Sequence, residues 1–129
     1  MRSKARETVF IYLFSRLFNP SDEGLFAVLK KDLNSDDAEF ATKLLDSVIE
    51  KEETYLEKIS NLSVGYKLNR LYAADKCALL LGMAELDNFI ETPTPVVIDE
   101  AVNIVAKYST ENSTDFVNGI LAEYSKERK

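Results

Sequence analysis

The side chains most often used for catalysis are scarce in this sequence. The 129-residue chain has no histidine and one cysteine, Cys77. Without histidine there is no imidazole base and no imidazole metal ligand, and neither a cysteine–histidine nor a serine–histidine–acid nucleophile can be built. Two adjacent carboxylate pairs, Glu52-Glu53 and Asp99-Glu100, suggest acid/base chemistry at first sight. Neighbours along a helix do not face one another, and neither pair has a nucleophile, base or metal companion in sequence. No catalytic residue, metal site or cofactor is expected.

What remains is the chemistry of charge and aromatic surface. Residues 1–16 hold Arg2, Lys4, Arg6 and Arg16 against a single acid, Glu7. Arg2 and Arg6 are four apart and share a helical face, with Lys4 able to reach round to it. Arginine binds phosphate bidentately and lysine as a mobile point charge, which gives salt-dependent affinity for a nucleic-acid backbone. Reading a single strand would need stacking as well, for which Phe10, Phe14, Tyr66 and Tyr72 are candidates. Residues 32–57 have the opposite character, with nine acids against Lys43 and Lys51, in a chain of net charge −6. Such a run is either a solvated helix face or a surface complementary to a basic partner.

The elements that must position these residues are helices. Length and composition, 46% hydrophobic and 29% charged, predict one soluble domain with a real core. No apolar run approaches the roughly 20 residues needed to span a bilayer. The opening MRSKARETVFIYLF imitates a signal peptide, but Glu7 interrupts it and no small-residue cleavage site follows, so a cytoplasmic protein is expected. A first helix is predicted over about Ser3–Phe18, apolar on more than one face. Asn19-Pro20 offers a cap and first turn for a short second helix carrying Leu25, Phe26, Val28 and Leu29. Asn34 or Ser35 caps a third, which apolar spacing carries from Phe40 through Ile59. After a break at 62–65, Tyr66–Leu71 reads as a short helical segment. AADKCALLLGMAELDNFI is apolar nearly all round and predicts a central buried helix, with Cys77 as a small hydrophobe. Thr94 and Pro95 read as cap and first position of the next helix, and the last starts near Ser113.

One stretch, DFVNGIL at 115–121, contradicts its surroundings. Asn-Gly between apolar residues is a strong hairpin signal, yet Phe116, Val117, Ile120, Leu121 and Tyr124 fall on one helical face. Flanking strands would be too short to persist, so the pair is placed in a helix. Glycine there costs about 1 kcal/mol relative to alanine, and a close backbone approach would offset it. Gly82 poses the same question, so a crossing of the two helices near Gly82 and Gly119 is expected. Asn118 is expected to be partly buried and hydrogen-bonded to a neighbouring loop.

These segments together resemble the NusB family of transcription antitermination factors. The likeness lies in Pro95, Ile98, Glu100, Ala101, Val102 and Lys107, followed by Phe116, Val117, Asn118, Gly119 and Leu121. It continues in Arg70, Leu71, Asp75, Leu79, Glu85 and Leu86, and in Lys4, Ala5, Arg6 and Leu13 of the first helix. The resemblance covers most of the chain and implies an all-α domain of about seven helices in two small bundles. It implies non-enzymatic binding of boxA-like RNA together with NusE, a small-subunit ribosomal protein, and indirect work with the elongating RNA polymerase complex. On that basis Arg2, Lys4, Arg6, Phe14 and Tyr66 are assigned to RNA. Asp75, Asn112 and Asp115 are assigned to the protein partner, and Asn118, Gly119 and Gly82 to structure. The aromatic first helix is suited either to meeting NusE or to self-association as a homodimer. Leu80, Asp99 and Asp115 depart from the family pattern, each with less positive charge or polarity than usual. They favour a second reading, an acidic helical protein-interaction module that does not bind RNA.

Overall fold

The alternation of apolar stripes and capping residues produces helices throughout the computed structural model, which describes residues 2–22, 24–63 and 71–127. Among these residues there are seven helices: α1 (Arg2–Arg16), α2 (Leu25–Lys30), α3 (Ser35–Glu50), α4 (Glu52–Leu62), α5 (Ala73–Asn88), α6 (Thr94–Tyr108) and α7 (Glu111–Glu127). Tyr66, Arg70 and the segment predicted over Tyr66–Leu71 lie outside the described residues, Leu71 excepted.

α5 is the axis of the molecule. Twelve of its sixteen residues are buried, as its all-round apolar sequence requires. On one side it packs against α1 and α3, with α2 laid on α1; on the other it packs against α4, α6 and α7. The expected two bundles therefore share one helix. Burial pushes the Cys77 thiol up to about 12, so this cysteine is an inert part of the core.

Helix ends follow local chemistry, in places one turn from where the sequence suggested. The Asn34 side chain accepts the Asp37 amide at 2.8 Å and caps α3, as expected. Thr110 does the same for α7, accepting the Ser113 amide on its hydroxyl at 3.2 Å. α7 thus begins at Glu111 rather than near Ser113. Pro93 is the cap residue of α6, which moves Thr94 and Pro95 each one place further into the helix. Asn19-Pro20 does not open α2; the chain turns there and the helix begins after Gly24. The long third helix is in fact two. Lys51 leaves helical geometry at φ −125°, ψ 25°, and the break redirects α4 so that Tyr55 and Ile59 bury beside α5 and α7. There the Tyr55 and Tyr124 hydroxyls both donate to Asp87 Oδ2, at 3.0 and 2.7 Å, tying α4 and α7 to α5.

The two helix-interior glycines part company. A methyl group on Gly82 would meet Leu121 Cδ1 at 2.7 Å, so α5 and α7 do cross tightly there. A methyl group on Gly119 would meet nothing within 4 Å, and both Asn118 and Gly119 are exposed. The expected packing role of Gly119 and the partial burial of Asn118 are therefore corrected. Both residues lie outside the apolar stripe formed by Val117, Ile120, Leu121 and Tyr124.

Candidate functional site

The basic start of α1 divides into one buried and two surface cations. Arg6 lies in phase with Val9, Phe10 and Leu13, which all bury, and it goes in with them at 4% exposure. Its Nε and Nη2 donate to the two oxygens of Glu85 at 2.7 and 2.6 Å, and Nη1 donates to Glu100 at 2.7 Å. Burial alone would pull this guanidinium's pKa down; hydrogen bonding and charge from Glu85 and Glu100 reverse that and hold it above its ordinary value. Ser3 also donates to Glu100. The expected phosphate contact by Arg6 is therefore corrected: its donors are spent on a bridge between α1, α5 and α6. Arg2, by contrast, is 45% exposed on its side chain. Among the described residues the exposed Lys4 ammonium reaches only the Asp32 carbonyl, at 3.5 Å. These two cations are the ones that face solvent.

Along the same helix runs an aromatic ladder. The Tyr108 ring lies 5.1 Å from Phe10, Phe10 lies 6.0 Å from Phe14, and Phe14 lies 5.2 Å from Phe18. Phe10 is buried, Phe14 half-buried and Phe18 72% exposed, so the ladder emerges from the core into solvent. Tyr108, itself exposed, is fixed at the other end by Glu7, which accepts from the Tyr108 hydroxyl and the Lys107 ammonium, each at 2.6 Å. Glu7, Tyr108 and Phe18 are not among the residues that charge pattern and resemblance single out. The spacing of Phe10, Phe14 and Phe18, four apart along one face, was the available signal.

The Lys107 and Tyr108 hydrogen bonds hold the Glu7 carboxyl below the usual carboxylate range. A carboxylate lowered on folding contributes stability above its unfolded pKa and loses it as pH falls through the folded value. Glu7→Gln is therefore expected to lower stability above about pH 4.5, where the carboxylate is ionised, and to flatten the stability–pH curve below it. Urea midpoints across that range measure this, and an unchanged acid limb would refute it.

A second surface lies where α5 begins and α6 turns into α7. Leu71, Tyr72, Asp75, Thr110, Asn112, Ser113 and Phe116 line a groove of about 150 Å³. Tyr72 stands at its edge, 60% exposed. The structure thus brings two of the predicted partner residues, Asp75 and Asn112, into one place. Asp75 is buried beneath it, accepting from Ser109 at 2.7 Å and Ser113 at 2.8 Å. It shapes the wall rather than projecting from it. Asp115 is exposed but does not line the groove. Ser109 and Ser113 were legible only as a polar, cap-rich stretch.

Of the departures from the family pattern, Leu80 is buried in the core and takes nothing from the surface, whereas Asp99 and Asp115 are exposed. Among the described residues no group of histidine, cysteine and acidic side chains is placed to hold a metal ion, and no helix is long and apolar enough to cross a membrane.

Known proteins give these surfaces a context. A model of the NusB family matches residues 3–126. The transcription antitermination protein NusB of Methylacidiphilum infernorum is 37% identical over 125 residues, covering 93% of this chain and 87% of that protein. Its counterpart in Pseudothermotoga lettingae is 35% identical over 130 residues, covering 97% and 91%. Among solved structures, T. maritima NusB superposes with a TM-score of 0.92 at 32% identity, over 98% of this chain and 92% of that one. A chain from a complex of antitermination factors NusB and NusE with dsRNA gives 0.85 at 30% identity, over 98% and 96%. By family model, sequence and fold alike, the chain belongs to the NusB family.

Proposed function

We propose that this protein is a transcription antitermination factor that binds boxA-like RNA together with NusE and acts by assembly, without catalysis. The observation that carries this reading is the likeness, along 98% of the chain, to a chain of the NusB–NusE–dsRNA complex. The surfaces are consistent with it. Arg2, Lys4 and the emergent Phe14–Phe18 end of the ladder offer phosphate and base contacts, and Tyr66 is retained as a stacking candidate. The groove at Tyr72, Asn112 and Phe116 offers NusE an apolar floor with polar edges, while Asp75 sets its shape from below and Asp115 flanks it. The pair works in the cytoplasm and reaches the elongating RNA polymerase complex indirectly, through the RNA. Self-association through the aromatic face of α1 would cover the RNA surface, so a homodimer would be a resting form.

Fluorescence anisotropy with boxA-like RNA, with and without NusE and across salt, tests the proposal. Absence of binding in both cases at low salt would overturn it in favour of a protein-interaction module. Arg2→Ala with Lys4→Ala is expected to weaken binding roughly two- to thirtyfold, the range for losing two solvent-exposed ion pairs. The slope of log affinity against log salt should become shallower by about 1.4–1.8, roughly 0.7–0.9 for each cation removed. An unchanged slope would remove these two cations from the interface.

A further inference from the structure

We propose that the acidic pocket between the start of α3 and the α5–α6 turn is an intramolecular competitor for RNA, because it holds the Arg2 guanidinium that phosphate would otherwise take. The proposal rests on the RNA-binding reading above. Arg2 does not extend freely into solvent. Its guanidinium carbon sits 4.3 Å from the centroid of the Phe40 ring, and Nη1 lies 3.6 Å from Glu91. The surrounding pocket, about 380 Å³, is walled by Asp36, Asp37, Glu39 and Glu91, with Lys43 as its other cation. Phe40 is itself braced by the edge of Phe89, with ring centroids 5.0 Å apart. One aromatic face and a ring of carboxylates form a seat for a guanidinium, and the chain's own Arg2 occupies it.

The geometry separates this contact from a structural bridge. Arg6, two-pronged on a fully buried Glu85, cannot be exchanged without unfolding its surroundings. Arg2 meets Glu91 through one long contact, with both side chains open to water at 45% and 62% exposure. Such a pair is cheap to open, so it biases the arginine rather than locking it. RNA phosphate binding to Arg2 competes with the Glu91 carboxylate, whereas binding to Lys4 competes only with a weak carbonyl contact. Glu91 thus lowers RNA affinity specifically through Arg2.

A double-mutant cycle reads this directly. RNA affinity in the presence of NusE is measured for the wild type, Glu91→Gln, Arg2→Ala and the double variant, with Lys4→Ala as a second background. Glu91→Gln is expected to tighten binding roughly two- to fivefold in the wild-type and Lys4→Ala backgrounds, the scale of an exposed ion pair. In Arg2→Ala the effect should vanish. A gain of equal size in all three backgrounds is a general charge effect and overturns the proposal, as does no gain in the wild type. If no variant binds RNA at low salt, the functional reading itself fails and takes the proposal with it.

Discussion

Arg6→Ala is expected to cost about 3–5 kcal/mol of folding stability, the range for breaking a buried ion pair by removing one partner. The reason is the partner left behind. Glu85 is 1% exposed and receives both of its guanidinium contacts from Arg6. Without them a carboxylate is stranded between α1 and α5, far from water. Domains of this kind are stable by about 5–15 kcal/mol in total, so the variant should unfold at much lower urea than the wild type. Arg6→Lys should fail nearly as badly, because one ammonium cannot satisfy Glu85 in a fork and Glu100 at once. Arg6→Met combined with Glu85→Leu should recover much of the loss, since an apolar pair leaves no buried charge and Glu100 keeps some solvent. Equilibrium urea unfolding decides the matter. An Arg6→Ala protein within 0.5 kcal/mol of the wild type would show that the bridge contributes little. This result also bears on function, because loss of RNA binding in Arg6→Ala would report unfolding and not a lost phosphate contact.

The second large effect is expected at Gly82. A valine there would drive its branches into Leu121, which is itself fully buried and already 2.7 Å from the first added carbon. Overpacking of a close-packed site costs about 1–3 kcal/mol, and here the buried Leu121 side chain must shift to admit it. Leu121→Ala should restore part of the loss by making room. Gly119→Ala is the contrasting case. Its methyl group enters open space on a helix, so the substitution should stabilise the protein by about 0.5–1 kcal/mol. Thermal melts of the two single variants should move in opposite directions; movement in the same direction would contradict the assigned crossing.

These two residues also show what the sequence could and could not convey. Periodicity was enough for the all-helical class, for the buried course of α5 and for the helical state of Asn118-Gly119. The same periodicity put those two residues off the apolar stripe, so their exposure was legible. Glycine's conformational cost, taken alone, pointed the other way. Arg6 was similar: its spacing to Val9, Phe10 and Leu13 marked it as inward-facing, but charge type suggested a surface. Its partners could not be read, because Glu85 and Glu100 come from helices far along the chain. The α3–α4 break carried no glycine or proline to announce it, only Lys51 in a run of acids. The groove was half legible. Resemblance pointed to Asp75 and Asn112, but only folding revealed that Asp75 works from beneath through two serines that arrive from the α6–α7 turn.

The shared oxygen of Asp87 gives the fold a form of insurance. Two phenols, from α4 and α7, converge on one acceptor, so losing either hydroxyl leaves that oxygen with the other. Phenylalanine at Tyr55 or at Tyr124 therefore still leaves that oxygen accepting from the remaining phenol. The junction of α4, α5 and α7 thus keeps a polar tie through the loss of either hydroxyl.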